Sequence, residues 1–137
     1  MDKSEIYIKM ADCPEIQDRE FGEEGDIVVV RKHLSDYNGW QEYRKGSIEV
    51  VGNDGEYDIS NPNKDNFIWL PRQDQLQEMV GGWTLELLDR FHHFCMWDDQ
   101  FEETREKMTP ISMEQLWLAF VMEEKFNKVW NGEKWDV

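Results

Sequence analysis

The sequence predicts an α+β fold, with a small antiparallel sheet in the first half of the chain and helices in the second half. Up to residue 70 the apolar runs are short and separated by turn residues, which is typical of strands. After Pro71 the apolar residues recur at steps of three and four, which is typical of helices that bury one face. We expect the sheet to pack against the helices, because this layering buries both apolar surfaces.

The 137-residue chain combines a formal net charge of −15 with seven Trp and seven Phe. Its length and 39% hydrophobic content suffice for one core, so we predict a single domain over residues 1–137. The chain has no basic patch, which disfavours direct nucleic-acid binding. No signal peptide or membrane span is recognisable, and Cys13 and Cys95 match no paired-cysteine spacing. We therefore expect a cytoplasmic protein with reduced thiols, no cofactor and no membrane partner.

The first half contains one ambiguous segment and about four strands. Residues 4–12 fit a short helix that is capped by Ser4 and ends before Pro14, or a strand with Ile6, Ile8 and Met10 on one face. We favour the helix. Residues 52–55, Gly-Asn-Asp-Gly, predict a tight hairpin turn. The predicted strands, which we expect to form an antiparallel meander, are Ile27–Val30, Ser47–Val51, Glu56–Ile59 and Asn66–Leu70.

Three or so helices are predicted after Pro71. The first is capped by Asp74 and ends at Gly81-Gly82, and the second is capped by Thr84. The pattern leaves open whether the second helix continues unbroken to Met108. Its apolar residues are expected to share one buried stripe, formed by Leu87, Leu88, Phe91, Phe94, Cys95 and Phe101.

The last helix has the clearest boundaries. Ser112 and Gln115 stand at the spacing of a capping box, and Asn131-Gly132 is expected to end the helix. Between these limits, residues 116–122 are apolar on all sides of the helix. The sequence therefore predicts a central core helix.

The densest group of reactive side chains is a candidate metal site formed by His92, Cys95 and Asp99. On one continuous helix, spacings of three and four residues place neighbouring pairs of these side chains on one face, as zinc or iron ligation requires. A further ligand would come from elsewhere, with His33 or Cys13 as candidates. The competing interpretation, which we favour, is that Cys95 packs as a small apolar residue beside Phe91 and Phe94.

Acidic residues form two clusters, which we interpret mainly as solvated faces. Neither has the spacing of an EF-hand, and no serine or glycine motif predicts nucleophilic catalysis or phosphate binding. The sequence therefore predicts a protein that is not an enzyme. The clusters are Asp18, Glu20, Glu23, Glu24 and Asp26 in the first loop, and Asp98, Asp99, Glu102, Glu103 and Glu106 on the second long helix.

Tryptophans beside turns are candidates for exposed anchors that hold a partner. They are Trp40, Trp130 and Trp135. The alternative, which we favour for Trp135, is that its side chain folds back over the last helix.

Two segments resemble small accessory proteins of unknown role that are encoded in phages and prophages of Gram-positive bacteria. They are residues 69–79, WLPRQDQLQEM, and residues 113–122, MEQLWLAFVM, and the resemblance covers about a third of the chain. It implies an accessory protein without catalytic residues. Read physically, the same segments are a strand-to-helix corner and a core helix.

Three function hypotheses follow. The first is a phage-type accessory protein that binds another protein or forms a homo-oligomer, with Arg72, Gln73, Asp74 and Gln75 as a candidate polar surface that helix capping also explains. The second is an acidic DNA mimic that inhibits a nucleic-acid enzyme, because a charge of −15 is able to imitate a row of phosphates. The third is a metal-dependent enzyme centred on His92, Cys95 and Asp99.

Overall fold

The computed structural model describes residues 1–35, 39, 42–52, 62–107 and 111–137. It confirms the α+β class. The elements are α1 Glu5–Ala11, α2 Pro14–Gln17, β1 Ile27–Val30, β2 Leu34–Ser35, β3 Glu42–Tyr43, β4 Ile48–Val50, β5 Phe67–Leu70, α3 Gln73–Val80, α4 Thr84–Trp97, α5 Asp99–Lys107, α6 Met113–Phe126, β6 Val129–Trp130 and β7 Trp135–Asp136.

The chain divides into two compact units. The internal unit comprises Ala11–Pro71, and the terminal unit comprises Met1–Met10 together with Arg72–Val137. Each unit has its own elements. The prediction of one domain over residues 1–137 stays a prediction.

The internal unit is built on a three-stranded antiparallel sheet in the order β4-β1-β5. Val28 lies in the middle strand, opposite Glu49 on one side and Trp69 on the other. The predicted meander order is therefore wrong for these strands, because the first strand pairs with the last. A β-branched run that is buried on both faces suits a middle strand better than an edge. The predicted strand Glu56–Ile59 and residues 53–55 of its turn lie outside the described residues.

A cluster of apolar side chains forms the core of the internal unit. Phe21 and Leu34 pack against its border. The short β2–β3 pair, which the sequence analysis did not predict, contributes Tyr43. The buried members are Val28, Val30, Tyr43, Val51 and Phe67.

The opening helix of the terminal unit is α1, as favoured from the sequence. The Tyr7 amide donates a hydrogen bond of 3.2 Å to Ser4 Oγ, which confirms Ser4 as the cap. The strand alternative for residues 4–12 is wrong.

The starts of α3 and α4 differ by one or two residues from their predicted caps. Arg72, not Asp74, precedes α3, and Trp83, not Thr84, precedes α4. Neither preceding residue supplies a side-chain cap, so the preference of Asp and Thr for this position misplaced both boundaries. The end of α3 is as predicted, because Gly81 takes a positive φ of 70°.

A break at Asp98 separates α4 from α5. Asp98 has extended backbone, and its Oδ1 accepts a hydrogen bond of 2.8 Å from the Phe101 amide. Asp98 thereby satisfies a free amide at the start of α5. The helix that begins at Thr84 therefore does not run unbroken to Met108.

The core of the terminal unit surrounds α6. The Gln115 amide donates to Ser112 Oγ at 3.0 Å, which confirms the predicted cap, and residues 117–122 are buried, which confirms the core helix. The predicted end at Asn131-Gly132 is wrong. The helix ends at Phe126, because Asn127 takes the left-handed conformation with φ 54°.

Aromatic rings from α4 and α5 pack against α6. Phe91 stacks on Trp117 with a centroid distance of 3.8 Å, and Phe94 lies 4.4 Å from Phe101 and 5.3 Å from Phe120. These contacts use the side of α4 that carries Leu87 and Phe94, both of which are buried.

Candidate interaction surface

The four residues of the predicted polar surface lie at the start of α3, where Arg72 contacts Asp74 and Gln75. The Arg72 amide donates to Gln75 Oε1 at 2.9 Å, and Arg72 Nε donates to Asp74 Oδ1 at 3.2 Å in an ion pair. Gln73 lies between them and is partly buried. These contacts organise the first turn of α3. Partner binding by Arg72, Gln73, Asp74 and Gln75 stays a prediction.

The structure does not assemble His92, Cys95 and Asp99 into a ligand set. His92 is exposed on α4, whereas Asp99 belongs to α5, beyond the break at Asp98. The four-residue spacing between Cys95 and Asp99 therefore does not place them on one helical face. Across the described ranges, no group of three or more His, Cys, Asp or Glu side chains is arranged to hold a metal ion.

The chemistry of Cys95 follows from its partly buried position. Burial raises the pKa of the Cys95 thiol, and the charge of Arg105 opposes this effect only in part. Arg105 Nη1 also donates to the Cys95 carbonyl oxygen at 2.6 Å. Of the two further candidate ligands, Cys13 is buried and His33 is exposed, and both belong to the internal unit.

Asp26 and Asp98, which belong to the acidic clusters, bind backbone amides, so the interpretation as solvated faces is wrong for them. Asp26 is buried, and its Oδ2 accepts hydrogen bonds from the amides of Gly22 at 2.9 Å and Glu23 at 3.0 Å. Asp98 caps α5. Neither role was visible in the spacing of the acids, because each depends on the path of the backbone around the carboxylate.

Asp98 also faces Glu123 of α6. Burial, a hydrogen bond with Asp98 and the negative charges of Asp98 and Glu124 raise the pKa of Glu123 to about 8. Two carboxyl groups at hydrogen-bonding distance share one proton more readily than they both ionise. Glu123 therefore holds a proton to a higher pH than an ordinary glutamate, at the junction of α4, α5 and α6.

A cleft of about 520 Å³ lies where the chain start meets the N-terminus of α6. Asp2 Oδ2 accepts hydrogen bonds from Ser112 Oγ at 2.5 Å and from Gln115 Nε2 at 2.6 Å. Burial raises the pKa of Asp2, but its hydrogen bonds with Ser112, Ser4 and Gln115 outweigh this effect and lower it. The polar groups of this cleft are thus largely used to join the chain start to α6.

Two of the tryptophans beside turns pack against the protein. Trp130 and Trp135 lie opposite each other in the β6–β7 pair, with ring centroids 5.1 Å apart. Trp135 Nε1 donates to the Met10 carbonyl oxygen at 2.8 Å, so Trp135 folds back onto α1, and its predicted place over the last helix stays a prediction. Trp40 lies outside the described residues.

Among the helices that the structure describes, α4 carries the largest group of exposed apolar side chains. The exposed fractions are 72% for Leu85, 48% for Leu88 and 53% for Met96. Together with the exposed His92, these residues follow steps of three, four and four, so they form one row on the helix. We call Leu85, Leu88, His92 and Met96 the α4 face.

The α4 face was not predicted from the sequence, because both sides of α4 carry apolar residues. Leu88 was assigned to the buried stripe, and this assignment is wrong. Leu87 and Phe94, seven residues apart, mark the buried side of α4, which lies opposite Leu85 and Met96. The sequence signal for the α4 face was this second row of residues at steps of three and four along α4. Tryptophans mark both ends of the helix, where Trp83 is 77% exposed and Trp97 is 67% exposed.

A comparison of this chain with protein-family models, curated proteins and solved structures finds no match. Among the helices in the described part of the chain, none is long and apolar enough to cross a membrane.

Proposed function

We propose that the chain is a cytoplasmic, non-catalytic accessory protein, of the kind encoded by phages and prophages of Gram-positive bacteria, that works by binding another protein. The observation that carries this proposal is the α4 face. A continuous row of exposed Leu, Met and His side chains on an acidic protein is a costly surface to leave in water. Binding a partner would remove this apolar area from water.

The opposite side of α4 supports this use of the helix. Phe94 anchors α4 against the aromatic core, so the α4 face is presented on an ordered helix. A rigid helix loses little conformational freedom on binding, which favours affinity. Trp97 extends the apolar surface at the C-terminal end of α4, and exposed tryptophan is frequent among residues that dominate binding energy.

Site-specific crosslinking tests the proposal. The photoreactive residue benzoylphenylalanine replaces Leu88 in the full chain, which is then irradiated in a lysate of a Gram-positive host. A matched protein carries it at Met113, which is exposed to a similar extent on α6. We expect a discrete protein adduct from position 88 and none from position 113. Absence of an adduct from position 88, or the same adducts from both positions, would overturn the proposal.

A further inference from the structure

The surroundings of the α4 face are acidic. Glu86 and Asp89 are exposed on α4, and Asp89 lies one helical turn from Leu85. A partner that covers the α4 face therefore meets carboxylates at its border.

The arginines that the structure describes on α4 and α5 contact groups other than Glu86 and Asp89. Arg90 forms an ion pair with Glu124, and Arg105 binds the Cys95 carbonyl oxygen. Of the arginines whose side chains the structure describes on these two helices, each is thus engaged by the protein itself. The border of the α4 face keeps its negative charge.

Resting on the proposed function, we infer that the partner of the α4 face is a basic amphipathic helix. Its apolar row would cover Leu85, Leu88 and Met96, and Lys or Arg along one side of that row would face Glu86 and Asp89, which lie on the same side of the α4 face. The α4 face spans about 16 Å, which is about three helical turns and suits one helix laid along it.

The whole-chain charge also favours this occupant over a second copy of the chain. Two copies would each bring a formal net charge of −15, whereas a basic helix is attracted at long range. Complementary charge around an apolar centre gives fast, salt-sensitive association and selects against acidic partners.

Fluorescence anisotropy of labelled peptides tests the inference on the full chain. The probe has the 14-residue length of α4, with leucines at steps of three and four and lysines elsewhere. A matched peptide carries glutamate in place of lysine. We expect the lysine peptide to bind about tenfold more tightly than the glutamate peptide, and raising NaCl from about 50 to about 200 mM to weaken it.

Two pairs of variants locate the binding site. The variant L85S/M96S is expected to bind the lysine peptide about tenfold more weakly than wild type. The variant I6S/M113S, which alters two exposed apolar residues elsewhere in the terminal unit, is expected to keep the wild-type affinity within about twofold. The variant E86Q/D89N is expected to bind the lysine peptide about threefold more weakly than wild type. E23Q/E24Q removes the same charge from exposed residues of the internal unit and is expected to have less effect.

Each contrary result has a defined meaning. Equal affinity of the two peptides, or equal effects of E86Q/D89N and E23Q/E24Q, would overturn the basic helix, while the crosslink from position 88 would keep the proposed function. If wild type forms a dimer and the L85S/M96S variant does not, the partner of the α4 face is a second copy of the chain, and the proposal of a basic helix is overturned. If phosphatidylcholine vesicles bind wild type but not the L85S/M96S variant, the α4 face binds a lipid surface, and the proposal of a basic helix is overturned. Absence of the crosslink from position 88 would remove the proposed function as well.

Discussion

The Gln17 side chain binds the backbone of Trp69 twice. Gln17 Nε2 donates to the Trp69 carbonyl oxygen at 2.9 Å, and Gln17 Oε1 accepts from the Trp69 amide at 2.9 Å. Nε2 also donates to the Ala11 carbonyl oxygen at 2.8 Å. The buried carboxamide of Gln17 therefore binds the amide and the carbonyl group of Trp69, which a further strand beside β5 would otherwise bind.

Replacing Gln17 with Ala is expected to destabilise the protein by about 3 kcal/mol, because it leaves a buried amide and two buried carbonyl groups without these partners. The measurement is urea unfolding of the full chain. Gln100, which is exposed on α5, provides the control Q100A, whose free energy of unfolding is expected to change by less than about 0.5 kcal/mol. Equal midpoints for Q17A and Q100A would contradict this role of Gln17.

The variant S112A is expected to lose about 1–2 kcal/mol of stability. It removes the cap of α6 and the hydrogen bond that Ser112 Oγ donates to Asp2. Thermal unfolding measures the effect, with S35A as the control because Ser35 is exposed on β2. If S112A and S35A melt at the same temperature, the cap contributes no stability.

The stability contributed by Glu123 is expected to fall as the pH rises. Its pKa is raised in the folded protein from 4.5 to about 8, so the folded state favours the protonated carboxyl group. That advantage is complete below pH 4.5 and is lost as the pH rises toward 8. Since Glu123 is partly exposed, we expect a loss of about 1 kcal/mol over this range.

The variant E123Q keeps a neutral side chain at all pH values and tests this dependence. Urea unfolding at several pH values is expected to show E123Q and wild type equally stable at acidic pH and E123Q more stable above pH 8. E102Q, at an exposed acid of α5, is the control and is expected to follow wild type. Parallel pH profiles for E123Q and wild type would contradict the raised pKa of Glu123.

The variant W135F is expected to lose about 1 kcal/mol of stability, because phenylalanine cannot donate the hydrogen bond to the Met10 carbonyl oxygen. W83F is the matched control, since Trp83 is largely exposed. Thermal unfolding distinguishes the two. A larger loss for W83F than for W135F would contradict the role of Trp135 in joining the β6–β7 pair to Met10.

The features that could be predicted from the sequence depend on neighbours along the chain. Ser4 and Ser112 cap the helices that follow them, and the run Ile27–Val30 forms a strand, because each signal lies within a few residues of the structure it specifies. The order of the strands could not be predicted in this way, since it depends on pairing between distant segments. The contact of Gln17 with Trp69, which are 52 residues apart, is of the same kind.

The candidate site shows the same limit. The spacing of His92, Cys95 and Asp99 suggested a ligand set only on a continuous helix, and Asp98 interrupts that helix by capping α5. Leu88 was assigned to the core because α4 has apolar residues on both sides. Which side the protein covers depends on the aromatic residues of α5 and α6, which lie far along the chain.

Capture of a partner by matched surface variants tests the central claim most directly. Wild type, L85S/M96S and I6S/M113S are immobilised in equal amounts and exposed to the same lysate, after thermal unfolding has been compared. Because the altered side chains are exposed, we expect similar melting temperatures. The account predicts that wild type and I6S/M113S retain the same stoichiometric protein and that L85S/M96S loses it. Equal retention by all three would contradict partner binding through the α4 face.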